Sequence, residues 1–349
     1  MTNTRVQARP TQIGDAGIGS RVLSGIMPTG DLHIGNYLGA LRNWTQMQHE
    51  HESYFCIVDL HAITTPQDPA RLHEKTREVA ALYIAAGIEP KVSRIFVQSH
   101  VHNHTELAWI LNCLTPLGWL ERMTQFKEKA RGERERASAG LFAYPVLQAS
   151  DILLYGGAPP RPLYVPVGDD QKQHVELTRD VAERFNRLYG EVLSPPEPLI
   201  PQRGARIMGL DAPDKKMSKS ETSQYHSIRM LDAPEVIRKK IARAVTDPGQ
   251  ELRFDPERPG LYNLLTIYEL FSGWTHEEIE TNFAGQGFAA LKKELAEVVS
   301  EGLRPLQERY GEVRNEPGYL ESVLAEGAQS AHAEGALVLR EVKRAMGLG

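Results

Sequence analysis

Arg21-Val22-Leu23-Ser24-Gly25-Ile26-Met27-Pro28-Thr29-Gly30-Asp31-Leu32-His33-Ile34-Gly35-Asn36 is the stretch that decides the fold. A short apolar run from Arg21 to Gly25 enters a Pro-Thr-Gly turn at Pro28 to Gly30, and a helical pattern follows from about Ile34 to Gln48. Moving outward, the same alternation repeats. Tyr54 to Asp59 (YFCIVD) is a second compact apolar run. Asp68 to Ala86 has helical spacing, with Asp-Pro at its start and Gly87 at its stop, and Arg94 to Ser99 (RIFVQS) is a third strand-like run. Nearly continuous apolar strands separated by helices predict an α/β fold: a doubly wound parallel sheet covered on both faces. After Arg243 the strand signal fades. Phe288, Leu291, Leu295, Val298, Val299, Leu303 and Leu306 recur at three- and four-residue steps, as do Leu320, Val323, Leu324, Val338, Leu339, Val342 and Met346. The reading therefore divides the chain into a flexible extension at 1–20, an α/β domain at 21–228 and a helical domain at 229–349.

The 349 residues suffice for about two domains with a sizeable core. Hydrophobic residues at 41% and charged residues at 24% exclude wholesale disorder. No apolar run approaches the ~18 residues of a membrane span, and the polar N-terminus lacks a secretory core. Cys56 and Cys113 lie far apart without CxxC spacing, which excludes a disulfide framework and points to the reducing cytoplasm. A net charge of −5 excludes a protein basic all over, yet leaves room for a local basic face. Between Asp214 and Arg243, Lys and Arg outnumber Asp and Glu, which would help to steer a polyanion.

Two segments carry phosphate chemistry. In Ser24 to Asn36 a strand end, a glycine-bearing turn and a helix start follow one another. A helix start presents free N–H groups to an anion, Gly35 lets a flat base or ribose approach the backbone, and His33 and Asn36 share a face. A helix cap with a satisfied histidine fits the same residues. In Lys215-Lys216-Met217-Ser218-Lys219-Ser220, lysines bracket a hydroxyl residue and can neutralise a leaving pyrophosphate; a basic surface loop looks similar in isolation. His100, His102 and His104 alternate and would share a face on a strand, as metal ligands do, but they follow a strand-like run directly and include Asn103, which fits a turn, and the set lacks flanking ligands. Arg131 to Ser138 (RGERERAS) reads as an exposed connection.

His33 to Asn36 (HIGN) resembles the HIGH element, and Lys216 to Ser220 is identical to the KMSKS element, of class I aminoacyl-tRNA synthetases. GNYLGALR from Gly35, CIVDLHAIT from Cys56, ERMTQFKEKA from Glu121, SDILLYG from Ser150, VPVGDDQKQHVELTRDVAERFN from Val165 and GARIM from Gly204 are similar to the bacterial tryptophanyl members, and the similarity runs from about Val22 to Gly349. The resemblance implies a Rossmann-like catalytic domain and a helical tRNA- and anticodon-binding domain. It also implies a two-step reaction in which L-tryptophan is activated by ATP with Mg2+ and passed to the 3′ end of tRNA(Trp), in a cytoplasmic homodimer.

By the same resemblance, His33, Lys129, Lys216, Ser218 and Lys219 are catalytic. Met27, His33, Gly35, Asn36, Gly168, Asp170, Ile207, Lys216, Met217, Ser218, Lys219 and Ser220 meet ATP. Leu23, Gly25, Val58, His61, Tyr144, Gln148, Asp151, Val167 and Gln171 line the tryptophan pocket, and no residue is a metal ligand because Mg2+ arrives with ATP. On bare sequence Lys129 also fits a solvated face and Asp151 a helix start. Three positions depart from the family: Met27 replaces a common glutamine, Gln148 replaces a methionine, and GAPPRPL is inserted between Gly156 and Tyr164. The first two bear on amino-acid affinity. A tyrosine-specific relative, or a paralogue with weak charging and a further task, remains open at this point.

Overall fold

The computed structural model describes residues 11–12, 19–124, 138–168, 171–200, 206–219, 221–247, 249 and 251–349. Among these residues six parallel strands form one sheet in the order β1-β6-β5-β2-β3-β4. They are β1 (Thr11–Gln12), β2 (Arg21–Ile26), β3 (Glu52–Ile57), β4 (Arg94–Val97), β5 (Leu163–Pro166) and β6 (Glu197–Ile200). The three apolar runs expected as strands are β2, β3 and β4, which lie side by side with Gly25 opposite Cys56 and Cys56 opposite Phe96. At 11–12 the expected flexible extension instead pairs with β6, Thr11 opposite Leu199. The unpaired backbone of an edge strand accepts such a partner whatever its side-chain pattern.

The helix after β2 departs from the simple expectation. It starts as α1 (Ile34–Asn36), passes through a π-helical segment (Tyr37–Leu41) and continues as α2 (Arg42–Glu50). The wider turn swings its apolar face. Ile34 and Leu38 enter one hydrophobic cluster, whereas Leu41, Trp44 and Met47 enter another. Next come α3 (Asp59–Ala62), α4 (Pro69–Ala85), α5 (Asn103–Asn112), α6 (Leu117–Glu121), α7 (Ala139–Leu153) and α8 (Lys172–Tyr189). Asp68 caps α4 by accepting from the Arg71 N–H at 2.8 Å, and Ser138 caps α7 by accepting from Leu141 at 3.1 Å. Beyond the irregular stretch 206–233 lie α9 (Pro234–Ala242), α10 (Pro259–Ser272), α11 (His276–Asn282), α12 (Phe288–Asn315) and α13 (Pro317–Met346).

The 229–349 region is helical as the periodicity predicts, but it is not packed apart. Ile34 and Leu38 share a core with Ile207, Met217, Leu264 and Leu295, while the two long C-terminal helices return to the sheet. Leu306 and Tyr310 of α12 join Phe55 and Ile95, and Ala331 and Val338 of α13 join Cys56 and Phe96. The approach of α13 to β4 is so close that a Cβ on Gly327 would overlap the Ile95 carbonyl. Among the described residues no helix is long and apolar enough to cross a membrane.

Candidate active site

The two phosphate segments meet at the C-terminal end of β2, where ligands of open parallel sheets gather. His33 is the N-cap of α1. Its Nδ1 accepts from the Gly35 N–H at 3.1 Å, and its own N–H donates to Asn36 Oδ1 at 3.2 Å. The cap reading and the phosphate reading are thus compatible, because capping uses Nδ1 and puts the imidazole proton on Nε2. Burial, and after it the charges of Lys219, His226 and Lys216, hold His33 down to about 3, so it is neutral at working pH. Gly35 is glycine for a reason internal to the protein: an added Cβ would sit 2.9 Å from His33 Nδ1.

Lys219 reaches the same place from the other side. Its Nζ donates to the Met27 carbonyl at 3.2 Å, and its Cβ lies 3.1 Å from where a Cβ on Gly30 would be. Gly30 has φ +65, a left-handed conformation that suits glycine. Burial lowers the Lys219 ammonium to about 8, against an opposing pull from Asp31. Asp31 is itself pinned by Lys75 Nζ at 2.5 Å and Arg229 at 2.8 Å. Arg229 belongs to a segment that runs antiparallel beside the first motif, Ile34 donating to the Ile228 carbonyl and Met230 to that of Leu32.

The loop before Lys219 is held from behind. Met217 donates to the Ile207 carbonyl at 3.0 Å, and Met208 bridges Lys216. His226, fixed by Asp211 at 2.7 Å from Nδ1, places Nε2 at 3.3 Å from the Lys216 carbonyl. Met217 and Ile207 point into the core they share with Ile34 and Leu38, only 2% and 3% exposed, so their side chains anchor the loop. Lys216 is exposed and Ser218 half-buried.

A second cluster lies beside the first, around Asp151 on α7. Gln98 Nε2 and His104 Nδ1 donate to Oδ1, and His61 Nε2 donates to Oδ2, each at 2.7 Å. Burial pushes the Asp151 carboxyl up, but hydrogen bonds from His104 and His61 outweigh it and hold the group well below the usual carboxylate range. Tyr144 stands edge-on to His61 at 6.3 Å and bonds His174 Nε2 at 3.0 Å, and burial pushes its hydroxyl up to about 12. Leu23 and Val167 are buried in the core that also holds Val58 at its margin. Gly25 presses against β3, where a Cβ would come within 2.6 Å of the Cys56 carbonyl. Gln148 donates to Gln171 at 3.3 Å, so the exchange of methionine for glutamine supplies its own partner.

Gly168 is exposed and accepts from Gln171 at the start of α8, and Met27 is 37% exposed. Lys129, Asp170, Ser220 and most of the charged loop 131–138 lie outside the described residues. The alternating histidines do not form a strand face. Residues 98–100 are a 3-10 turn and α5 begins at Asn103, so His100 and His102 face solvent while His104 is buried. Among the described residues no group of three or more His, Cys, Asp or Glu is placed to hold a metal. Sequence reasoning missed Gln98 and Tyr155 and gave His104 only a turn or a metal reading; the lone signal was a polar residue just after an otherwise apolar strand.

Residues 19–304 match the family described as tRNA synthetases class I (W and Y). The chain is 55% identical over 328 residues to the tryptophan--tRNA ligase of Gloeobacter violaceus, covering 94% of this chain and 96% of that one. It is 53% identical to the ligase of Wolinella succinogenes, covering 95% and 99%. Among solved structures, it superposes on the tryptophanyl-tRNA synthetase of Mycoplasma pneumoniae with a TM-score of 0.85 at 33% identity, covering 94% and 98%. The Campylobacter jejuni enzyme, complexed with ADP and tryptophan, superposes with a TM-score of 0.79 at 35% identity, covering 94% and 100%. With the matching motifs brought together at one end of a parallel sheet, the chain belongs to the class I tRNA synthetases for tryptophan and tyrosine, within their bacterial tryptophanyl branch.

Proposed function

We propose that this chain activates L-tryptophan with ATP and transfers the tryptophanyl group to the 3′ end of tRNA(Trp). A tryptophan carboxylate oxygen attacks the α-phosphorus, the bond to the bridging oxygen breaks, and pyrophosphate leaves. A ribose hydroxyl of the tRNA then attacks the adenylate carbonyl and AMP departs. No covalent enzyme intermediate is needed, so positioning and charge stabilisation carry the acceleration. In this reading the His33 Nε2–H and the Asn36 amide meet ATP phosphate oxygens, and Lys216, Ser218 and Lys219 neutralise charge growing on the departing pyrophosphate. Lys129, Gly168, Asp170 and Ser220 complete the nucleotide set. Mg2+ enters with the ATP as part of the substrate, its ligands drawn from the phosphates themselves. Asp151 accepts from the indole N–H between the walls of Leu23, Val58 and Val167.

The observation that carries the reading is the meeting of Lys219 with Gly30 and the Met27 carbonyl, beside a neutral, buried His33. That geometry supports the reading in which one cation and one proton donor from distant parts of the chain act on a single tail of phosphates. The deciding experiment is ATP–pyrophosphate exchange with tryptophan or with tyrosine, followed by charging of tRNA(Trp). Tryptophan-dependent exchange is expected; exchange with tyrosine alone would reject the substrate.

The reading includes a homodimer, for which Trp109 and Leu117, 72% and 69% exposed on α5 and α6, supply apolar surface. It includes binding of the tRNA by 229–349 as well, and a cytoplasmic location that suits the free thiols of Cys56 and Cys113. Sedimentation of the purified chain tests the dimer.

A further inference from the structure

His104 is the one buried member of the alternating histidines, and chemistry at the phosphates uses none of the three. Its two nitrogens have different partners. Nδ1 lies 2.7 Å from Asp151 Oδ1 and Nε2 lies 2.9 Å from the Tyr155 hydroxyl. Tyr155 is buried and stacked on Tyr54 at 4.4 Å, and burial pushes its hydroxyl well above the ordinary tyrosine range, so it keeps its proton. A carboxylate oxygen can only accept, so Nδ1 carries the ring proton aimed at Asp151 and Nε2 is the acceptor for the Tyr155 O–H.

Gln98, also fully buried, is oriented just as firmly. Its Oε1 accepts from the Leu60 N–H at 3.1 Å, so its NH2 faces Asp151. A carboxylate has about four acceptor sites. Gln98 and His104 fill the two on Oδ1 and His61 fills one on Oδ2, which leaves one. An indole has one N–H and no acceptor.

We propose that Gln98 and His104, the latter backed by Tyr155, are positioning residues for amino-acid selection: they saturate one oxygen of Asp151 and turn the last free acceptor of the other toward a single N–H donor. The proposal rests on reading Asp151 as the indole acceptor. Neither residue touches the substrate. Their effect is on where the acceptor points and on how many donors it welcomes, so it falls on discrimination more than on turnover.

The test uses the full-length enzyme in ATP–pyrophosphate exchange with tryptophan and with β-(benzothiophen-3-yl)alanine, which replaces the indole N–H by sulfur at nearly equal size. Tyr155→Phe removes one hydroxyl and keeps the stacked ring. Gln98→Met removes the donor at similar length. In the parent enzyme, kcat/KM should favour tryptophan by at least ~10²-fold. Tyr155→Phe should shrink that ratio by ~3–10-fold and Gln98→Met by ~10-fold or more, through KM for tryptophan, with kcat and the analogue's kcat/KM within about twofold of the parent.

Unequal changes of this kind separate a positioning role from a structural one, which would depress both substrates alike. Asp151→Asn tells the two readings apart. If it collapses the ratio while Tyr155→Phe and Gln98→Met leave it intact, the positioning proposal is overturned and Asp151 keeps its role. If Asp151→Asn itself leaves the ratio intact, Asp151 is not the indole acceptor and both fall.

Discussion

Lys219 joins two roles in one side chain, since its Cβ and Cδ pack on the Gly30 turn while its ammonium, which donates to the Met27 carbonyl, is the proposed partner of the phosphates. Lys219→Ala is expected to slow adenylate formation by at least ~10²-fold, with tryptophan affinity within about twofold of the parent, as rapid-quench and equilibrium binding measurements would show. An equal loss of binding and rate would contradict a transition-state role. Its depressed pKa gives a second prediction. As pH rises through about 8 the free enzyme loses the Lys219 charge, so kcat/KM for ATP should fall above that pH. Bound phosphates favour the charged form, so the fall in kcat should come at higher pH. No acid limb is expected from His33, which is already neutral. These residues were legible because each sits in a short local string with its own chemistry. Gln98 and Tyr155 were not, since their bonds span 53 residues to Asp151 and 51 to His104, distances that no periodicity records.

At the scale of elements, the loop carrying Lys216 to Lys219 owes its shape to neighbours rather than to its own hydrogen bonds. Met217 is its apolar anchor, and the Asp211–His226 pair holds the Lys216 carbonyl, with Ser223 donating to the second oxygen of Asp211. Burial pushes the Asp211 carboxyl up, but bonds from Ser223 and His226 prevail and keep it low. Asp211→Asn should therefore loosen the loop, raising KM for ATP by ~3–10-fold while KM for tryptophan stays unchanged in steady-state kinetics. Strands β2, β3 and β4 were legible from apolar runs of four to six residues with turns on either side. The two-residue β1 left no such signature, and β6 contains Pro198 within four residues. The π-helical turn at Tyr37–Leu41 escaped as well, because which of two cores a helix faces is a property of its partners.

The whole molecule is less divisible than its sequence suggests. Periodicity announced that the C-terminal helices bury an apolar stripe, but it could not say against what; α13 uses its stripe to cover the sheet beside β4. Gly327→Ala would thrust a methyl group into the Ile95 backbone, and neither a helix nor a strand yields easily there. Urea denaturation of that variant should give a loss of ~1–3 kcal/mol, whereas a glycine-to-alanine change on an open helix surface would stabilise slightly. The packing also bears on how the chain is made. Ile95 emerges from the ribosome long before Gly327, so the nascent sheet waits with part of its greasy flank bare until α13 arrives. Productive maturation is thereby tied to late synthesis, and a polypeptide arrested before that helix should be a client for chaperones.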